Sequence, residues 1–133
     1  MFADTQMGGM DTAGPDVCLT PAPPAPAPGP VPDPHVAAGP LGAPPAAKVL
    51  FMCAPAHNMG TTIGQTNGDN LGLNTGVASG TVMGPSRHLT AAFTVLLLGQ
   101  PATRLTSASL QNSTNSPGAR VVPSQVKVLL LAP

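Results

Sequence analysis

Acidic and aromatic side chains are scarce in this chain. Its 133 residues include no Glu, Trp or Tyr, only five Asp and only three Phe. The aromatic platforms on which single-stranded nucleic acids stack are therefore missing. Five Lys and Arg residues balance the five Asp, so the formal net charge is zero, which argues against electrostatic capture of nucleic acid or of an anionic membrane. We expect no nucleic-acid partner.

Long hydrophobic runs are also lacking. The longest one, near residues 91–99, has about half of the length that a membrane-spanning helix requires. The N-terminal residues "MFADTQMGGMD" have neither the basic start nor the apolar core of a signal peptide. We therefore expect that the protein is made in the cytoplasm and carries no signal peptide.

Cysteine is rare, with Cys18 and Cys53 as the two representatives. Two cysteines do not form a disulfide framework of the kind that holds small secreted domains together. In a reducing cytoplasm they are expected to act as small buried hydrophobic side chains. A shared metal site and a late disulfide are the alternatives.

Proline and glycine are abundant, with 18 and 15 residues. This content alone is typical of disorder, but 42% of the chain is apolar and only 8% is charged, which is the opposite of a disordered composition. The composition instead favours a compact, turn-rich, all-β structure with little helix. The length fits one domain over residues 1–133.

The most proline-rich segment covers residues 21–47, "PAPPAPAPGPVPDPHVAAGPLGAPPAA". Prolines at this density fix φ and remove hydrogen-bond donors, so the segment is predicted to be extended, mostly as polyproline II. Two interpretations remain open, a linker and an extended strap packed over the domain.

An apolar motif recurs along the chain. "VLFMCAPA" (residues 49–56) aligns with "VLLLGQPA" (residues 95–102), and a third copy begins with "VLLL" at residues 128–131. A weak copy lies at residues 17–19. The unequal spacing of 46 and 33 residues argues against a regular solenoid and favours a small closed β structure with pseudo-symmetric faces.

The stretch "VLLLGQPATR" resembles the Pro-Ala-Ala-Arg motif of the PAAR proteins, and the order of further segments resembles the PAAR-like branch of that family. The resemblance implies a small β cone, or pyramid, with a three-sided base. Such cones sit on the blunt end of a trimeric spike protein of the VgrG type, in type VI secretion and related contractile injection systems. The further segments are "PDVCLTP", "PVPDPHVA", "KVLFMCAPAHN" and "TNGDNLGLNTGVASGTVMG".

The resemblance carries expectations about partners and surfaces. One copy would cap and sharpen one spike trimer, leave the cell on the tip of the apparatus, and carry or adapt effectors. Because the chain ends on a predicted strand, we expect a standalone tip or adaptor rather than a full effector. The base that binds the spike is assigned to the residues around the repeated turns, namely Pro55, Ala56, Pro101, Ala102 and Arg104.

The resemblance also raises zinc, because standard PAAR proteins bind zinc near the apex through three His and one Cys. This chain has three His and two Cys but no CxxC or HxxxH spacing. No cofactor is therefore firmly expected, and zinc is a possibility. Its ligands would come from His57, His88, Cys18 and Cys53, and the alternative is that these histidines are hydrogen-bonded structural residues.

Hydrolytic chemistry has weaker support. Ser86, His88 and Asp69 supply the residue types of a catalytic triad, but no GxSxG frame surrounds the serine. The five Asp are scattered, so no carboxylate pair is evident. We therefore expect a non-enzymatic protein without catalytic residues. The alternative is a small metal-dependent or hydrolytic effector domain on a similar β scaffold.

Overall fold

A long curved sheet and a set of short hairpins make up the fold. This computed structural model describes residues 1–20, 29–44, 47–68 and 76–131, including all their side chains except those of residues 18–20 and 29–34. Within these ranges the only helical element is a three-residue 3-10 turn, Gly39–Leu41, and no helix is long and apolar enough to cross a membrane. The all-β prediction with little helix is confirmed.

The long sheet has seven antiparallel strands, which lie in the order β2 (Gly29–Ala38), β1 (Met10–Thr20), β11 (Ser116–Val122), β10 (Ala108–Gln111), β7 (Ser86–His88), β6 (Thr62–Ile63) and β3 (Gly42–Ala43). It curls into a nearly closed barrel, because the free side of β2 pairs at Val36 with Asn67, just beyond β6, through two backbone hydrogen bonds of 2.7 and 2.8 Å.

Strand β2 places part of the proline-rich segment in the sheet. It pairs with β1 over most of its length, so residues 29–38 form a strand rather than polyproline II. The N–H group of Val36 points away from β1, towards Asn67. Strand alternation puts residues 30, 32 and 34 on the same outer edge, and all three are proline. We call them the outer-edge prolines; they leave that edge without N–H donors.

Two short hairpins share one geometry. In the hairpin of β4 (Leu50–Phe51) and β5 (Ala54–Pro55), Leu50 pairs with Pro55. In the hairpin of β8 (Ala92–Leu97) and β9 (Gln100–Ala102), Leu96 pairs with Pro101. Each is closed by a two-residue turn whose φ angles are all positive, between 50° and 80°, as in type I′ turns. The turn residues are Met52–Cys53 and Leu98–Gly99.

The third copy of the repeat is completed by the start of the chain. Phe2 pairs with Leu129 as Pro55 pairs with Leu50, and the amide of Ala3 donates to the carbonyl of Val128 at 2.9 Å. This terminal pair is equivalent to a hairpin, although its two strands come from opposite ends of the sequence. The weak copy at residues 17–19 belongs instead to β1 in the long sheet, so that part of the repeat assignment is wrong.

An apolar cluster fills the space between the two hairpins and the terminal pair. Strand alternation turns the residues on either side of Leu50, Leu96 and Leu129 inward. Together with buried alanines these side chains form the main hydrophobic core of the described residues. The inward side chains are those of Val49, Phe51, Val95, Leu97, Val128 and Leu130.

Candidate functional site

A closed ring of backbone hydrogen bonds joins the three pairs. The amide of Asp4 donates to the carbonyl of Thr103 at 3.0 Å, that of Thr103 to His57 at 3.2 Å, and that of His57 to Asp4 at 3.0 Å. Each of these residues is fully buried and directly follows an alanine. The three segments therefore meet around a common axis.

A second cycle of hydrogen bonds repeats the same relation. Each donor lies two residues after a member of the first ring, and each acceptor lies two residues before one. The bonds run from the amide of Gln6 to the carbonyl of Pro55, from Met59 to Pro101 and from Leu105 to Phe2, at 2.9, 2.9 and 2.8 Å. This cyclic pattern makes the structure pseudo-three-fold, as the sequence repeat predicts.

The axis explains the alanine of the repeated Pro-Ala turn. Ala3, Ala56 and Ala102 are all inaccessible to solvent, because three backbone segments converge on them. Ala56 and Ala102, which the sequence analysis predicts to belong to a spike-binding base, are therefore buried at this axis and offer no exposed surface to a partner. The other predicted base residues, Pro55, Pro101 and Arg104, are half-buried, and Arg104 pairs with Ala3 across the axis.

One exposed leucine lies on each of the three pairs. Leu50, Leu96 and Leu129 occupy equivalent positions and are 56%, 60% and 52% exposed. We call these three residues the base leucines. Sequence reasoning placed the base at the Pro-Ala turns and did not single them out, although each is the second residue of a Val-Leu repeat. Leu98 and Leu131 add further exposed apolar surface on two of the pairs.

A buried cluster of charged groups adjoins the first ring of hydrogen bonds, with which it shares Asp4. The guanidinium of Arg120, on β11, forms an ion pair with Asp11 and lies 3.8 Å from a carboxylate oxygen of Asp4. All three side chains are buried. Burial raises the pKa of Asp4 to about 6 and also raises that of Asp11, although Arg120 opposes both shifts. Gly9 makes room for the cation, because a Cβ there would lie 2.4 Å from the guanidinium.

The family model of the toxin PAAR-like domain matches residues 9–118. The chain belongs to this family. The match covers both hairpins and most of the long sheet, whereas the terminal pair lies outside it. Comparisons with curated proteins and with solved structures gave no match.

Two of the candidate zinc ligands of this PAAR-like chain are buried histidines near the charged cluster. Burial, with a smaller effect of Arg120, lowers the pKa of His57 to about 4 and that of His88 to about 3. The imidazole Nδ1 of His88 lies 3.9 Å from Asp11. Both imidazoles are therefore neutral at physiological pH, and a cation stands beside them.

The residues that the structure describes fit a zinc ion poorly. Cys53 is exposed in a hairpin turn, so the prediction that it is buried is wrong, whereas His57 and His88 lie in the interior. The side chain of Cys18 lies outside the described part. Among the described residues no group of three His, Cys, Asp or Glu is arranged to hold a metal ion. Zinc binding by this PAAR-like protein stays a prediction.

A second buried pair lies farther along β1 and β2. The Nδ1 of His35 lies 2.6 Å from Asp16, and Asn115 donates a hydrogen bond to the same carboxylate. Asn115 also donates to the carbonyl of Val17 at 2.9 Å and so ties the turn between β10 and β11 to β1. These contacts hold the interior of the long sheet together with polar rather than apolar groups.

The residues of the hypothetical triad are only partly visible. Ser86 and His88 lie on β7 on the same side of the strand, and both are buried. Asp69 lies outside the described residues. A cleft of about 190 Å³ is lined in part by Ser86, Arg87 and Thr62. The hydrolytic alternative therefore stays a prediction as well.

Proposed function

We propose that this PAAR-like protein is a non-enzymatic spike tip, which caps the blunt end of a trimeric VgrG-type spike in a type VI secretion or related contractile injection system. The observation that carries the proposal is the trio of base leucines at equivalent positions around the pseudo-three-fold axis. A trimer offers three identical surfaces about its own axis, and a repeated surface of this kind lets a single chain contact all three in the same way. Family membership supports the same role.

The arrangement suits one copy per trimer. Burying an entire leucine side chain contributes about 1.5–3 kcal/mol, and slightly more than half of each base leucine is still exposed. Burying the remainder would contribute about 1 kcal/mol for each leucine, or about 3 kcal/mol for the trio. Three equal contributions would also centre the tip on the spike axis.

The interior suits mechanical load. Two cycles of backbone hydrogen bonds close the base, and the nearly closed long sheet carries buried ion pairs. Closed sheets expose few unpaired edges, so the tip would present little surface for unwanted strand pairing. In this proposal the protein is made in the bacterial cytoplasm and exported on the apparatus, and effectors or adaptors would attach to surfaces other than the base.

The experiment is co-purification with the trimeric VgrG-type spike protein of the same organism, followed by mass measurement of the complex. We expect one copy of this chain per trimer. Leu129→Asp should abolish the complex, because it places a charge in an apolar contact. Val77→Asp is the control. Val77 is 59% exposed, like the base leucines, but its amide donates a hydrogen bond to the carbonyl of Val17 in the long sheet, so it does not belong to the three pairs. Absence of a complex with the unaltered chain would refute the proposal.

A further inference from the structure

The chain contains only two lysines, Lys48 and Lys127, and they occupy equivalent positions. Each stands two residues before a base leucine, Leu50 or Leu129. A separation of two residues keeps the Cα atoms within about 7 Å, so each lysine borders its leucine. On the remaining pair the equivalent residue is Thr94, two residues before its leucine. At this position, two residues before the base leucine, two of the three pairs thus carry a lysine.

These two cations have no partner within the described part of the protein. Both lysines are exposed, and neither forms an ion pair with a described residue. Three of the five acidic residues, Asp4, Asp11 and Asp16, are buried in the interior. Most of the carboxylates that balance the lysines and arginines in the sequence are therefore buried. The surface beside the base leucines carries the positive charge of the two lysines.

We propose that the base recognises a spike whose apolar blunt end is bordered by acidic side chains, two of which pair with Lys48 and Lys127. The inference rests on the proposed function and specifies the chemistry of the partner. A trimer repeats each acidic residue three times, so the third copy faces Thr94. The tip then has three equivalent ways to sit on the spike, and each of them leaves one acidic residue of the spike without a lysine.

Such charges act chiefly on orientation and association rate. Exposed ion pairs contribute little to affinity and are screened by salt, whereas complementary charges speed the encounter of two proteins. The base leucines would supply most of the affinity in this arrangement. The lysines would make binding faster and dependent on ionic strength.

The test measures binding of the VgrG-type spike trimer to immobilised variants at low and at high ionic strength. For K48A/K127A we expect about tenfold weaker binding at low ionic strength, mainly through slower association, and a smaller difference at high ionic strength. Thr94→Lys should tighten binding by up to about fivefold, because it supplies the missing third pair. Arg87 is an exposed cation on β7, away from the three pairs. Arg87→Ala should therefore change the affinity at neither ionic strength.

The outcomes separate this inference from the proposed function. If Leu129→Asp abolishes binding while K48A/K127A binds like the unaltered chain, the acidic border is refuted and the spike-tip role stands. If the lysines matter but Thr94→Lys does not tighten binding, the three-fold acidic border is refuted. If the unaltered chain does not bind the trimer at all, both proposals fall.

Discussion

Replacing Arg120 by methionine removes the cation of the buried cluster and leaves a shorter, unbranched apolar side chain. Two carboxylates, Asp4 and Asp11, then remain buried without their positive partner. Breaking a buried ion pair in this way costs about 3–5 kcal/mol. A domain of this size is stable by about 5–15 kcal/mol in total, so we expect a large fraction of the stability to be lost.

The loss should depend on pH in a defined direction. Burial already holds the pKa of Asp4 at about 6 and raises that of Asp11, with Arg120 opposing both shifts. Without Arg120 both values rise further. A carboxyl whose folded pKa exceeds its unfolded pKa stabilises the fold at low pH and loses that contribution as the pH rises through the folded value. The deficit of the variant should therefore be largest near pH 7 and shrink towards pH 4.

Urea unfolding followed by far-ultraviolet circular dichroism is the appropriate assay, because the chain has no Trp or Tyr to report by fluorescence. Arg87→Met is the matched control, since Arg87 is exposed on β7 and no described residue forms an ion pair with it. Its stability should change by less than about 0.5 kcal/mol. Equal stability of the two variants, or an Arg120→Met deficit that is independent of pH, would contradict the reasoning.

Four further predictions concern the axis, the histidines, the sheet edge and zinc. Ala102→Leu should lower the free energy of unfolding by about 1–3 kcal/mol in urea, because the fully buried axis has no room for a larger side chain. Ala78→Leu is the control and should leave the stability unchanged, because Ala78 is exposed. Burial lowers the pKa of His88 from 6.5 to about 3, so the neutral imidazole contributes stability that is present above pH 6.5 and is lost as the pH falls. His88→Gln should therefore lose less stability than the unaltered chain between pH 7 and pH 4, as measured by urea unfolding at both values. Replacing the outer-edge prolines by valine restores three N–H donors on β2, so this edge could pair with a second chain. We expect oligomers in size-exclusion chromatography at concentrations where the unaltered chain elutes as one species. Unchanged elution would refute the protective role of the prolines. Metal analysis of the purified protein should find one zinc, lost in His57→Ala and His88→Ala, if the zinc prediction holds, and retention of zinc in both variants would remove these histidines as ligands.

Composition and short motifs were enough to predict the fold class and the repeated turn. Low charge with high apolar and proline content predicts a compact all-β chain, and Pro55-Ala56 aligns with Pro101-Ala102 because equivalent hairpins need the same small residue at the axis. The order of short motifs was enough to indicate the PAAR-like family, which the family model confirms. These features are local, so they can be read from neighbouring residues.

The contacts between residues that are distant in the sequence could not be predicted and became known from the folded chain. Phe2 and Leu129 form the third pair from opposite ends of the chain, and no local pattern marks Phe2-Ala3 as the partner of the last apolar run. Arg120 looks like any structural cation in the sequence, and its role follows from the burial of Asp4 and Asp11 around it. Strand β2 forms within a proline-rich segment because β1 supplies the hydrogen bonds on the one edge where proline is absent. Pairing and burial are set by the whole chain, and for this reason the base became visible only after folding.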